Sequence, residues 1–219
     1  MVLGELEASR EMNAKAERHF RKAIELNQNE FSAYFQLANL YRKGERYDAA
    51  VQQYREAIRW NPDFLAGYMM LGLLYERRKM PAEAIRVYEK ALARKSDFFP
   101  AANNLAWLML TRGRDLDRTL KLASVAARKA PGVPAVLDTL GWAYFKKEKY
   151  GLAATHLRKA LGRTPKDPFV MYHLGMVYAR GKKRDQALPL LRKDYKVLRE
   201  RPEGETIRWT LVSLGDQLP

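Results

Sequence analysis

The side chains that could do chemistry are few. Three histidines, His19, His156 and His173, and the neighbouring carboxylates Asp115 and Asp117 are the candidates for proton transfer or metal ligation. No histidine has a second ligand at metal spacing, and no H-E-x-x-H stretch occurs. His19 and His156 stand immediately before Phe20 and Leu157, positions expected in a helical core, so packing or solvent-facing roles fit them better than catalysis. Asp115 and Asp117 lie in a turn ahead of an apolar helical segment, where a carboxylate caps the free N–H groups of a helix start. The absence of Cys removes disulfides, thiolate metal sites and thiol nucleophiles together. There is no G-x-S-x-G elbow and no glycine-rich phosphate loop. Without a nucleophile–base pair or a phosphate cradle, no enzymatic activity, catalytic residue, metal, cofactor or small-molecule substrate is expected. Function must come from surfaces.

The 219 residues are 47% hydrophobic and 30% charged, enough apolar surface to offset the entropy of ordering a folded domain. No apolar run reaches the roughly 18 residues that span a bilayer. The start, MVLGELEASREMNAK, lacks a basic segment followed by an apolar one, so no signal peptide is read. The compartment stays open: cytoplasm, or periplasm for a processed fragment.

The elements that carry the surfaces follow from self-similarity. From Phe31 the chain places Tyr34, Leu37, Ala38, Tyr41, Ala50, Tyr54, Ala57 and Pro62, and 34 residues later Tyr68, Leu71, Gly72, Tyr75, Ala84, Tyr88 and Ala91. The pattern returns as Leu105, Ala106, Met109, Ala126 and Pro131, with one extra residue in the RGRDLD turn. It returns again as Leu137, Leu140, Gly141, Tyr144, Ala153, Leu157, Ala160 and Pro165. A weaker copy holds Met171, Leu174, Gly175, Tyr178, Ala187 and Leu191, and Gly4, Ala16, Phe20 and Ala23 fit the end of a copy before the first.

Each copy contains two apolar stripes at helical spacing, which predicts a pair of amphipathic helices. Gly or Ala beside Leu lets the paired helices approach, while Tyr fills the larger gap opposite. Gly44, Gly113 and Gly181 are expected to end the first helices in the left-handed conformation that Gly tolerates. Prolines such as Pro62, Pro100, Pro131 and Pro165 separate the units. One pair cannot bury both stripes, so the pairs must stack.

This pattern resembles the tetratricopeptide repeat (TPR), W-x2-L-G-x2-Y…A-x3-F…P, over about residues 1–201. The reading is an all-α TPR solenoid forming a single domain, 1–219. It has a partial repeat at 1–30, repeats at 31–64, 65–98, 99–133, 134–167 and 168–201, and a capping helix at about 203–217. The start inside a first helix suggests a piece of a longer array or a short cap. The last copy departs from the pattern, with Asp194 for a small residue and Arg199 for Pro, so its second helix is expected to pack less closely. In the tail, Ile207, Trp209, Leu211, Val212 and Leu214 are expected to cover the exposed end of the stack.

In this family the first helix of each pair faces a concave groove. The resemblance places there Phe35, Asn39, Met69, Leu73, Asn103, Trp107, Asp138, Trp142, Tyr172 and Met176. Such an apolar, aromatic lining suits a partner segment, extended or helical, because aromatic anchors bury much area with few rotors. The alternative is that Trp107 and Trp142 belong partly to the core. The Lys/Asn carboxylate clamp of chaperone-binding members is not seen. Neither is the asparagine ladder of the O-linked N-acetylglucosamine transferase, whose places read Gln36, Met70, Asn104, Thr139 and His173. The NNLAW…RDLD…PAVLDTLGW stretch is similar to units of bacterial multi-repeat members, many of which scaffold envelope or secretion complexes.

The second surface is electrostatic. Lys plus Arg number 40 against 25 Asp plus Glu, a net charge of +15 that rises toward the last repeat. Equivalent turns should lie along one edge as a ridge: Arg42, Lys43, Arg77, Arg78, Lys79, Arg112 and Arg114, then Lys146, Lys147, Lys149, Lys182, Lys183 and Arg184. The bland reading is a solvated edge that keeps the protein soluble. The functional one is a basic adaptor for an anionic surface, whether an acidic protein or a membrane. Nucleic acid fits worst, because no aromatics interleave the cations to stack on bases. A protein or peptide partner is expected. Its identity, and the oligomeric state, are not encoded in any motif.

Overall fold

A computed structural model describes residues 2–216, with side chains described from Met12 onward. Residue 217, the last of the expected capping helix, lies outside the described residues, as does the side-chain environment at Gly4. The described residues form twelve α-helices and no strand. They are α1 (Val2–Leu26), α2 (Phe31–Lys43), α3 (Tyr47–Trp60), α4 (Leu65–Arg77), α5 (Pro81–Arg94) and α6 (Phe99–Thr111). The chain continues with α7 (Leu116–Lys129), α8 (Pro134–Lys146), α9 (Tyr150–Arg163), α10 (Pro168–Arg180), α11 (Arg184–Leu198) and α12 (Pro202–Ser213). First helices begin at 31, 65, 99, 134 and 168, an interval of 34 residues except across the turn with the extra residue. The chain forms two compact units, residues 1–101 and 102–219.

In the first unit α2 pairs with α3 and α4 with α5. Leu37, Ala38, Tyr41, Tyr54, Tyr68, Leu71, Tyr75 and Tyr88, all pattern residues, are buried between them. The small residue of α4 sits under the large residue of α5. A Cβ built on Gly72 would stand 2.4 Å from Tyr88 Cε1. The second unit repeats the device: a Cβ on Gly141 would meet Leu157 Cγ at 2.6 Å, and one on Gly175 would meet Leu191 Cδ2 at 2.7 Å.

The turns differ from the expected arrangement. Gly44 and Gly181 have φ of −84° and −78°, so they are not left-handed. Gly113 is left-handed as expected (62°), but in the other turns the left-handed residue is not Gly: Glu45 (57°), Lys79 (55°), Glu148 (59°) and Lys182 (58°). Each follows a first helix at the same register, so repeat geometry imposes a conformation that costs a non-Gly residue about 1 kcal/mol.

At the C-terminal end α11 is not loosened by its departures from the pattern. Leu191 and Leu198 are fully buried, and Asp194 lies among them with 0% exposure. Pro202 starts α12, whose Ile207 and Leu211 are fully buried against this end, whereas Trp209 stays 67% exposed. Gly204 lets α12 cross the end of α11, since a Cβ there would lie 2.6 Å from Arg199 Cα. Arg184 Nε donates to the Leu214 carbonyl at 2.6 Å and Arg192 Nε donates to the Asp216 carboxylate at 2.8 Å, fastening the tail.

Gly141→Leu should destabilise the protein by roughly 1–3 kcal/mol, because Leu157 is fully buried and the Ala153 carbonyl, 3.2 Å from the added Cβ, cannot move away. A thermal melt unchanged by this substitution would refute the contact.

Asp194 gives a second test. Neither carboxylate oxygen has a hydrogen-bond partner among the described residues, and burial pushes its pKa up to about 8 despite the nearby Lys193. The folded state therefore holds a proton there that the unfolded chain releases near pH 4, so this group's contribution to stability falls as pH rises from about 4 to about 8. Asp194→Ala, which restores the small residue of the other copies, should stabilise by roughly 1–3 kcal/mol at pH 9 and by little at pH 4–5. Melting curves of both proteins at those pH values check it; parallel pH profiles would count against it.

Candidate functional site

The inner-face positions do not share one environment. In the first unit Phe35 is half-buried, its ring 5.8 Å from Tyr54 and edge-on to Phe64 at 4.9 Å. Asn39 turns its Oδ1 toward α3 and accepts from the Tyr54 hydroxyl at 2.6 Å, satisfying a fully buried ring's polar end. Met69 is half-buried, and Leu73 is 44% exposed. In the second unit Asn103 and Trp107 are half-buried.

The other four differ from the expected exposed lining. Asp138, Trp142, Tyr172 and Met176 are buried, each 9% exposed or less. Asp138 Oδ1 lies 2.7 Å from His173 Nδ1, a buried hydrogen bond between α8 and α10. The Trp142 ring is covered on both sides, stacked on His173 at 4.2 Å and on Phe145 at 4.4 Å. Tyr172 and Met176 lie under α12: Thr210 Oγ1 is 3.5 Å from Met176 Sδ, and burial, with Glu203 adding to it, raises the pKa of the Tyr172 hydroxyl. The cap covers the inner face of the last repeat as well as its end.

His173 and its partner were not legible as a pair in the linear sequence. The signal was present in the repeat arithmetic: residue 138 corresponds to residue 172 one unit on, so its neighbour His173 falls within reach. Thr139, next to Asp138 in the chain, donates its hydroxyl to the Ala135 carbonyl at 2.9 Å. Among the described residues no group of three His, Asp or Glu could hold a metal. His156 is half-buried and stacked on Tyr144 at 5.5 Å, and burial, with Lys159 beside it, lowers its pKa. Asp115 caps α7 through the Arg118 amide at 2.9 Å.

The basic turns are partly neutralised within each unit. Arg78 pairs with Asp48 at 2.7 Å and Arg77 lies 3.4 Å from Glu45. In the second unit Lys147 pairs with Asp117 at 2.6 Å, the same thirty-residue link two registers along. Lys146 lies over Trp142 at 5.2 Å, and Arg184 is committed to the tail. Gly151 and Gly181 occupy the next register of the link, so it lapses there. Lys149, Lys182 and Lys183 stay exposed, as do Lys43, Lys79, Arg112 and Arg114, while Arg42 is half-buried with its Nε unpartnered among the described residues. No described helix is long and apolar enough to cross a membrane.

Comparison with known proteins agrees with this geometry. No curated protein sequence matches the chain. The structure is similar to that of YrrB, described as a TPR protein with an unusual peptide-binding site, with a TM-score of 0.70, 20% identity, and coverage of 87% of this chain and 97% of that one. It is similar to MamA from Desulfovibrio magneticus RS-1 (TM-score 0.66, 17% identity, 78% and 97% covered). It is also similar to PilW, a type IV pilus biogenesis factor (TM-score 0.65, 17% identity, 93% and 94% covered). The tetratricopeptide repeat family model matches residues 1–63, 35–103 and 139–202. With the repeat interval, the size-matched helix contacts and this match together, the chain belongs to the tetratricopeptide repeat family.

Proposed function

We propose that this all-α TPR solenoid is a non-enzymatic scaffold that binds a partner segment on the inner face of its first helices. TPR proteins in general serve protein–protein interaction. The observation that carries the finer reading is the apolar surface that the inner face leaves uncovered: Leu73 at 44% exposure beside half-buried Met69 and Phe35, and Trp107 half-buried in the second unit. In the second unit Trp107 stands 5.8 Å from the His173 ring, which is held to Asp138, while Trp142, Tyr172 and Met176 are buried and leave Trp107 as the aromatic there that a partner could reach. The likeness to PilW supports a place in assembling a bacterial envelope or secretion complex. With the partner recovered from source-cell lysate, Trp107→Ala and Leu73→Asp should each lose about 2 kcal/mol or more of affinity with little loss of stability. Trp142→Ala should instead destabilise the fold by about 3–5 kcal/mol, as for a core aromatic. Full affinity in both surface variants would exclude the inner face.

A second reading rests on Lys149, Lys182 and Lys183, exposed where the ion-pair link lapses, in a unit with 23 Lys plus Arg against 11 Asp plus Glu. This edge would speed association with an acidic partner or an anionic membrane surface. Reversing the charge of Lys146, Lys147, Lys149, Lys182, Lys183 and Arg184 should then slow association several-fold at low salt, while the helical signal persists. Equal on-rates for wild type and variant, measured at two salt concentrations, would reduce the edge to a solubility device.

A further inference from the structure

The first unit contains two outer troughs, each between the second helices of neighbouring repeats, and their chemistry differs. One lies between α3 and α5 and encloses about 530 Å³. Its floor is apolar: Tyr68, Leu71, Tyr75 and Val87, with Ile58 on the α3 side. A shallower extension, which shares Arg59 and Lys90, continues past Pro62 and Ala93 to Arg94. The rim is cationic. Arg55 and Arg59 stand one turn apart on α3, facing Arg86, Lys90 and Arg94 on α5, all exposed, with Glu83 as the single acid in the lining. Along α5 the three cations span about 12 Å.

The other trough, between α1 and α3, encloses about 440 Å³ over the equivalent floor of Tyr34, Leu37 and Tyr41. The structural bond is the same in both: Arg21 donates to the Tyr41 hydroxyl at 3.1 Å, and Arg55 donates to the Tyr75 hydroxyl at 2.7 Å. The rims are not the same. Where the first trough has Arg59, Arg86 and Lys90, the positions thirty-four residues earlier carry Glu25, Gln52 and Glu56, and Glu25 and Gln52 line the second trough. The fold therefore does not require those cations. Arg59 has Glu56 at 3.4 Å and Arg94 has Asp63 at 3.9 Å, whereas Arg86 and Lys90 make no ion pair among the described residues.

We propose that the trough between α3 and α5 is a second docking surface, on the face opposite the inner groove, for an acidic peptide segment with a bulky apolar anchor. Two cationic rows flanking an apolar floor match a segment with carboxylates on both sides of a Leu or Phe. A lone fatty-acid carboxylate would meet one end of a row. Stacking of nucleic-acid bases has no exposed ring to use, because Tyr68 and Tyr75 are 4% and 3% exposed.

The probe is a short fluorescein-labelled peptide in which Glu and Asp flank a central Phe-Leu pair, followed by anisotropy on the full chain. Its Lys-substituted counterpart serves as control. The combined variant Arg59→Glu, Arg86→Gln and Lys90→Glu copies the neighbouring trough, so it should keep the wild-type circular dichroism and bind the acidic probe at least about tenfold more weakly. The milder Arg86→Gln and Lys90→Gln pair, which tests the idea should the first variant misfold, should weaken binding several-fold. Trp107→Ala and Leu73→Asp should leave probe binding unchanged, which separates this surface from the inner face. The proposal is overturned by wild-type affinity in both trough variants, or by loss of probe binding in the inner-face variants instead. It is equally overturned if the trough variants abolish only self-association or only binding to anionic vesicles, while the acidic peptide never binds.

Discussion

Everything else in this protein depends on a contact between a missing side chain and a large one. On α4, α8 and α10 a glycine, Gly72, Gly141 or Gly175, leaves the backbone bare, and the second helix lays Tyr88, Leu157 or Leu191 in the matching register; α2 carries the small Ala38 at that place, in register with Tyr54. The close approach brings the remaining apolar stripes within van der Waals range and leaves the outer halves of both helices for the neighbouring pair. Stability is then built from pair to neighbouring pair, in one dimension. The third pair is an exception, since Ala106 faces the small Ala123 in the second unit's core, and larger neighbours such as Leu110 share that cluster.

Most of this was legible in the chain because spacing alone carries it. The helix starts at 31, 65, 99, 134 and 168 follow from the recurrence of Leu, Gly or Ala, and Tyr. What spacing could not give was the choice between equivalent positions. Gly44 and Gly181 looked like left-handed caps, yet that conformation falls on Glu45 and Lys182, because the register of the turn and not the residue type decides it. Likewise Tyr172 and Met176 occupy inner-face positions but are roofed by α12, a helix outside the periodic pattern. Trp142 is withdrawn from solvent by His173 and Phe145, neighbours that a one-dimensional reading did not assemble.

Polar groups mark where the stack is fixed rather than merely packed. The Asp138–His173 bond joins consecutive first helices in the interior, where a broken pair would leave a desolvated group uncompensated. Asp194 occupies an equally buried place with no partner among the described residues, the weakest polar accommodation in the second unit. At the surface, the links of Arg78 to Asp48 and Lys147 to Asp117 are half exposed and contribute little individually. Their effect is to spread charge along the edge instead of concentrating it.

The left-handed turn residue has a consequence for how such a chain can change length. Glu, Lys and Gly all occupy that position, so a duplicated unit would bring a working turn whatever residue it carried. Its Gly–Tyr or Gly–Leu match would arrive complete, both halves in one insertion. The array is therefore free to lengthen or shorten in whole units of 34 residues while point changes at the same contacts are penalised. The tail is the boundary condition on that freedom. Arg184 and Arg192 grip Leu214 and Asp216 from one particular second helix, so new units can enter upstream of α11 but cannot follow it without leaving an apolar end bare.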